Sequence, residues 1–108
     1  MARGLNIEII RHGAELELTG RLDARAAHGA RAALQEAVTS GCGDLVLRLD
    51  GLEIWDSAGL GVLVGAGRLA RRVERRLVLA GVQPREARLI RATRLSRTVS
   101  MEAGELVG

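Results

Sequence analysis

Apolar and polar residues alternate twice near the start of the chain. Leu5-Asn6-Ile7-Glu8-Ile9-Ile10 alternates until its end, and Ala14-Glu15-Leu16-Glu17-Leu18-Thr19 alternates throughout. A period of two buries one face of an extended strand. Arg11-His12-Gly13 is a short glycine-containing connection, so the two runs predict an antiparallel hairpin. Gly20-Arg21-Leu22-Asp23 breaks the second strand, and Asp23 is placed to cap a helix. The period then changes to 3.6. Ala26, Ala27, Ala30, Ala33, Leu34, Ala37 and Val38 share one face, while Arg25, His28, Arg31 and Gln35 fall toward the other. Gly41, just past the last apolar position, is a stop signal.

Leu45-Val46-Leu47-Arg48-Leu49 is dense enough in apolar residues to be an interior strand. A loop is expected from Gly51 to Trp55 and a second helix from Ser57 to about Arg75. Leu77-Val78-Leu79-Ala80 predicts a short buried strand. Gly81 to Pro84 predicts a turn, with Pro84 at the first helical position, and a third helix reaches about Thr93. Val99-Ser100-Met101 suits a last short strand, and the Gly-rich end is expected to fray. Strands alternating with helices imply parallel pairing through right-handed crossovers. The expected fold is one α/β domain over residues 1–108, with its core at about 5–101. Its mixed sheet has four to five strands, the N-terminal hairpin strand antiparallel and the rest parallel, with helices packed around it.

Composition narrows the function classes. A chain of 108 residues builds one core and not two. It has no Phe or Tyr, and Trp55 is its single aromatic residue, so Leu, Val, Ile and Ala must fill the interior. The net charge is +3, and every basic residue is Arg. The arginines lie on helices beside acids, as on solvated faces, and there is no aromatic platform for bases, so nucleic acid is not an expected partner. Cys42 stands alone and allows no internal disulfide. No apolar run approaches the ~20 residues of a membrane span, and a cytoplasmic location is expected. Gly-x-Ser-x-Gly and lysine-containing phosphate loops are missing, neither His12 nor His28 is placed as a base, and no Cys/His cluster has metal spacing. The residues point away from an enzyme, a metal site and a bound cofactor.

The chemistry concentrates at the start of the second helix, in Trp55-Asp56-Ser57-Ala58-Gly59-Leu60-Gly61. Asp and Ser accept hydrogen bonds from the unpaired amides of a first turn, and the positive end of a helix favours an anion. At about 100° per residue, Leu60, Leu63, Ala66, Gly67, Leu69, Ala70 and Val73 form the core side. Gly61, Val64, Gly65, Arg68, Arg71 and Arg72 fall near Ser57. Mid-helix glycine is unfavourable by ~1 kcal/mol relative to Ala. Gly61 and Gly65 therefore mark a surface that a partner's backbone approaches, or simply a Gly-rich composition; the wheel leaves both open. The candidate docking residues are Gly59, Gly61, Val64, Gly65 and Arg68.

These stretches resemble the STAS domains, in particular the anti-sigma factor antagonists of bacteria. The resemblance rests on Leu45-Val46-Leu47 through Asp56-Ser57-Ala58-Gly59-Leu60-Gly61, on Gly20-x-Leu22-Asp23, and on the spacing to Leu77-Val78-Leu79-Ala80-Gly81-Val82. It covers roughly residues 5 to 101. The resemblance implies phosphorylation at Ser57 by a partner anti-sigma factor that is itself a serine kinase, and resetting by a phosphatase. It implies that the unphosphorylated form binds the kinase and frees the sigma factor. Asp23 and Asp56 match the acidic residues flanking the site. The chain departs from the family at Ala58, where a second Ser is frequent, at Arg48, where a small polar or acidic residue is common, and at Trp55, where an aliphatic residue is usual. Stand-alone STAS proteins also serve as subunits of lipid-transport ATPases, an alternative that needs no phosphorylation.

Overall fold

A computed structural model describes residues 4–93 and 99–103, with the backbone alone at 99, 100, 102 and 103. The elements are β1 (Asn6–Arg11), β2 (Glu15–Leu22), α1 (Ala24–Thr39), β3 (Leu45–Ile54), α2 (Ser57–Arg72), β4 (Leu77–Val82), α3 (Pro84–Arg91) and β5 (Val99–Ala103). The five strands form one sheet in chain order. β1 and β2 are antiparallel and the remaining neighbours are parallel. The expected mixed sheet is therefore present with five strands. The Gly-rich end beyond Ala103 lies outside the described residues.

The alternation in β2 does what its period requires, while β1 at the sheet edge buries little. Ile7 pairs with Leu18 and Ile9 with Leu16; Leu16 and Leu18 are buried, Ile7 is half-buried and Ile9 is exposed. The inward row continues through Leu47 and Leu79 to Met101. α1 and α2 pack against each other and close this core with Ala27, Ala30, Leu34, Val62, Leu63 and Ala66. Small residues on both helices allow the close approach. Val62, outside the expected core face, is buried, while Leu60 and Leu69 are half-buried and Val73 is 44% exposed. The arc toward α1 shifts the buried stripe by part of a turn.

Two expected breaks are continuous strand. β2 runs through Gly20 to Leu22, and β3 runs through Gly51 to Ile54 in place of a loop. Each supports the other, because Thr19↔Gly51, Gly20↔Leu52 and Leu22↔Ile54 pair in parallel after a register shift between Glu17 and Thr19. Gly20 marks a close backbone approach. Its φ is +94°, and a Cβ there would sit 2.3 Å from the Gly4 carbonyl oxygen. A parallel ladder and burial of Leu52 and Ile54 outweigh the local turn preference of the glycines.

β3 is longer than its pairing with β4, which covers Leu45 to Arg48. Side chains from the start of α3 take up the exposed backbone beyond it. Gln83 Nε2 donates to the Asp50 carbonyl (3.0 Å), the Ile54 amide donates to Glu86 (3.2 Å), and Arg85 donates to both the Ile54 carbonyl (3.0 Å) and Glu86 (2.7 Å). Glu86 is consequently buried, though it sits in a short polar helix.

α2 ends at Arg72, three residues before the expected point. Glu74 takes a left-handed conformation (φ 60°), and the amides of Glu74 and Arg75 donate to the Arg71 and Ala70 carbonyls. This is a Schellman stop built on a residue other than glycine. It turns Arg75 inward. The Arg75 guanidinium, buried, donates to the carbonyls of Gly13, Ala37, Val38, Cys42, Gly43 and Asp44. One cation thereby satisfies the negative end of α1, the hairpin turn and the α1–β3 connection.

Candidate functional site

The carboxyl ends of β2 and β3 lie side by side, since the Trp55 amide donates to the Leu22 carbonyl (2.9 Å). That contact brings the starts of α1 and α2 together. Asp23 caps α1 by accepting from the Ala26 amide (3.1 Å). Asp56 caps α2 by accepting from the Gly59 amide (2.9 Å), and its other oxygen accepts from the Ala24 amide of α1 (2.9 Å). One carboxylate therefore spans two helix N-termini. The Gly59 amide first, then the Ala24 amide, hold this carboxyl below its ordinary value of 3.8, with Ala58 adding to them against a partial desolvation. Asp56 is ionised at neutral pH.

Ser57 follows as the first residue of α2 and is exposed. The residue lies at the surface and is not enclosed by the aliphatic core. Below it on the same side, Gly61, Gly65 and Arg68 are exposed, and a Cβ at Gly61 or Gly65 would meet nothing within 4 Å. Two expected docking residues sit differently. Val64 is half-buried and packs against the core. Gly59 is buried, and a Cβ there would lie 2.3 Å from the Leu22 carbonyl oxygen. Gly59 lets the α2 start close onto the end of β2, and it offers no surface to a partner.

Trp55 stands at the rim and is 56% exposed. Arg21 lies over its ring, 4.7 Å from the centroid, and Trp55 Nε1 donates to Glu53 (3.1 Å). Arg21 Nε also lies 3.4 Å from Asp23 Oδ2. The ring is thus held between a cation and a carboxylate, next to the caps. An open groove of about 540 Å³ runs from Trp55 along Gly51 and Leu52 to Gln83 and Arg85. Arg48, the other family departure, is exposed and faces Glu15 at 3.6 Å. Among the described residues no His/Cys/Asp/Glu group could hold a metal, and no helix is long and apolar enough to cross a membrane.

The family model described as the STAS domain matches residues 5–105 of the chain. The chain belongs to the STAS domain family. Solved STAS folds resemble it over nearly their whole length. The anti-sigma factor antagonist SpoIIAA in its unphosphorylated form is 21% identical, with 91% of this chain and 86% of that one covered and a TM-score of 0.67. SpoIIAA of Bacillus in the phosphorylated form is 20% identical, with 95% and 92% covered and a TM-score of 0.69. An anti-sigma-factor antagonist (STAS) domain protein from Planctomyces limnophilus is 12% identical, with 97% and 93% covered and a TM-score of 0.71. At these identities the likeness establishes the STAS fold.

The family resemblance implied that Asp23 and Asp56 flank Ser57, and in this STAS domain the caps of α1 and α2 lie at one edge with Ser57 as the first residue of α2. Sequence reasoning missed the second role of Asp56, because Ala24 lies 32 residues away in the chain. It also missed the stacking of Arg21 on Trp55. A single aromatic residue at the end of an apolar strand was the available signal.

Proposed function

We propose that this STAS domain is an anti-sigma factor antagonist whose docking is switched by phosphorylation of Ser57. In this reading the unphosphorylated form binds a cytoplasmic anti-sigma factor, itself a serine kinase, and releases the sigma factor; a phosphatase restores it. The domain is the substrate and binding module, and the kinase supplies the catalysis. The observation that carries the reading is the exposed hydroxyl of Ser57 at the first position of α2, beside the ionised Asp56. The solved phosphorylated and unphosphorylated forms of SpoIIAA, a relative in fold, support it.

The energetics favour such a switch. A phosphate adds about −1.5 to −2 charge at pH 7. The helix start tolerates it, yet Asp56 already uses the Gly59 and Ala24 amides. The added charge would remain uncompensated beneath a docked partner, and burying it unpaired is unfavourable by several kcal/mol. A tenfold loss of affinity needs only ~1.4 kcal/mol.

Incubation with the cognate kinase and ATP should add one phosphate to the wild type and none to Ser57→Ala. Ser57→Ala should hold the kinase, and Ser57→Asp should bind at least about tenfold more weakly. An active kinase that leaves the mass unchanged, or equal binding by both variants, ends this reading.

A further inference from the structure

Exposed arginines accompany the seam between α1 and α2: Arg31 lines it, and Arg68 and Arg72 follow on the outer side of α2. The two helices hold one acid, Glu36, and it lines a separate groove beside β1, away from the seam. The expected acidic neighbours are absent from the seam: among the described residues none of these arginines makes an ion pair, whereas Arg11, Arg21, Arg48, Arg76 and Arg85 all do. An apolar slot of about 180 Å³ runs between the two helices, with Leu34, Val62, Ala66 and Leu69 in its walls, Gly65 at its lip and Arg31 at its side.

We propose that this seam docks an acidic amphipathic helix of the partner protein. The proposal rests on the reading of the chain as a docking module and names the chemistry of what docks. Aliphatic side chains spaced along one helix face fill the slot, and carboxylates on the flanks meet Arg31, Arg68 and Arg72. Gly61 and Gly65 let the incoming backbone lie close. The recessed slot argues against a bilayer, which needs apolar side chains that protrude. It also argues against nucleic acid, whose phosphates have no use for an aliphatic floor. The seam leads toward Ser57 at the start of α2, so a phosphate there repels the same acidic helix. The sign of the switch follows from charge alone.

The probe is a fluorescein-labelled synthetic helix with Leu at i, i+3, i+4 and i+7 and Glu on both flanks, titrated by fluorescence anisotropy. The wild-type protein should bind it. The double variant Arg31→Glu/Arg68→Glu should bind at least about tenfold more weakly. Gly65→Leu, which blocks the slot without changing charge, should weaken the helix and leave any binding of a random DNA duplex unchanged. All three substitutions are at exposed positions, and circular dichroism melts check that the fold persists. No binding by the wild type, equal binding by the variants, or tighter binding to the duplex or to phosphatidylglycerol vesicles overturns the proposal. Ser57 phosphorylation is read separately by mass. Loss of the helix with normal phosphorylation removes the groove and keeps the switch; the converse keeps the groove and removes the switch.

Discussion

Asp56 ties two helix starts with one carboxylate, and its titration carries a measurable signature. Its folded pKa lies below the ordinary 3.8, so its stabilisation is complete above that value and disappears as pH falls through the folded pKa. Asp44 behaves in the same direction through its hydrogen bond with Arg76, so a difference between proteins is the useful quantity. As pH falls below about 4, denaturation midpoints of the wild type should drop more steeply than those of Asp56→Asn. Parallel profiles would show that the carboxylate contributes nothing to either helix start. The glycines of α2 allow a second residue-scale prediction. Gly59→Ala drives a methyl into the Leu22 carbonyl and should destabilise by about 1–3 kcal/mol. Gly61→Ala and Gly65→Ala meet open space and should each stabilise by up to ~1 kcal/mol. Chemical denaturation of the three variants reads the contrast, and a stabilised Gly59→Ala would contradict the close packing. The difference was available in the sequence. Gly59 lies about 200° from Ser57 on the wheel, on the core side. Motif membership placed it on the docking face against that angle.

Elements with local signals were legible, and those decided by distant partners were not. Periodicity gave the hairpin, α1 and the start of α2, and Pro84 marked the start of α3. Gly20 and Gly51 read as breaks, because the ladder that holds them extended is formed between strands far apart in the chain. Arg75 shows the same limit more sharply. Within a run of arginines it looks like a solvated helical residue, and only the left-handed turn at Glu74 sends it inside. Its guanidinium then holds six carbonyls from the end of α1 and two connections, which a lysine's compact ammonium cannot match. Arg75→Met should destabilise by about 3 kcal/mol or more, since charge-assisted hydrogen bonds are lost and buried carbonyls are left unsatisfied. Arg75→Lys should recover only part of that loss. Urea denaturation of both variants tests it; a full recovery by Lys would mean that charge matters there and the planar fork does not.

At the scale of the molecule, the core and the proposed docking surface are different parts. The core lies between the sheet and the helices, and the candidate site occupies the carboxyl edge of the strands outside it. Ser57 is exposed and lies outside the hydrophobic core. At a helix start a phosphate gains roughly 0.3–1 kcal/mol from the helix dipole. Against the ionised Asp56 it loses about 1 kcal/mol in water-like surroundings, so the two nearly cancel. The stoichiometrically phosphorylated protein should therefore unfold within about 1 kcal/mol of the unmodified one. Its affinity for the kinase, by contrast, should fall by tenfold or more, which exceeds ~1.4 kcal/mol. Trp55 can report docking apart from unfolding. It is the only aromatic residue and is already largely solvated, so its emission should change little on unfolding. A partner covering the edge should shift that emission to shorter wavelength. Phosphorylation that lowers the circular dichroism melt as much as it lowers affinity would mean that the switch acts by unfolding α2 and not by charge at the docked surface.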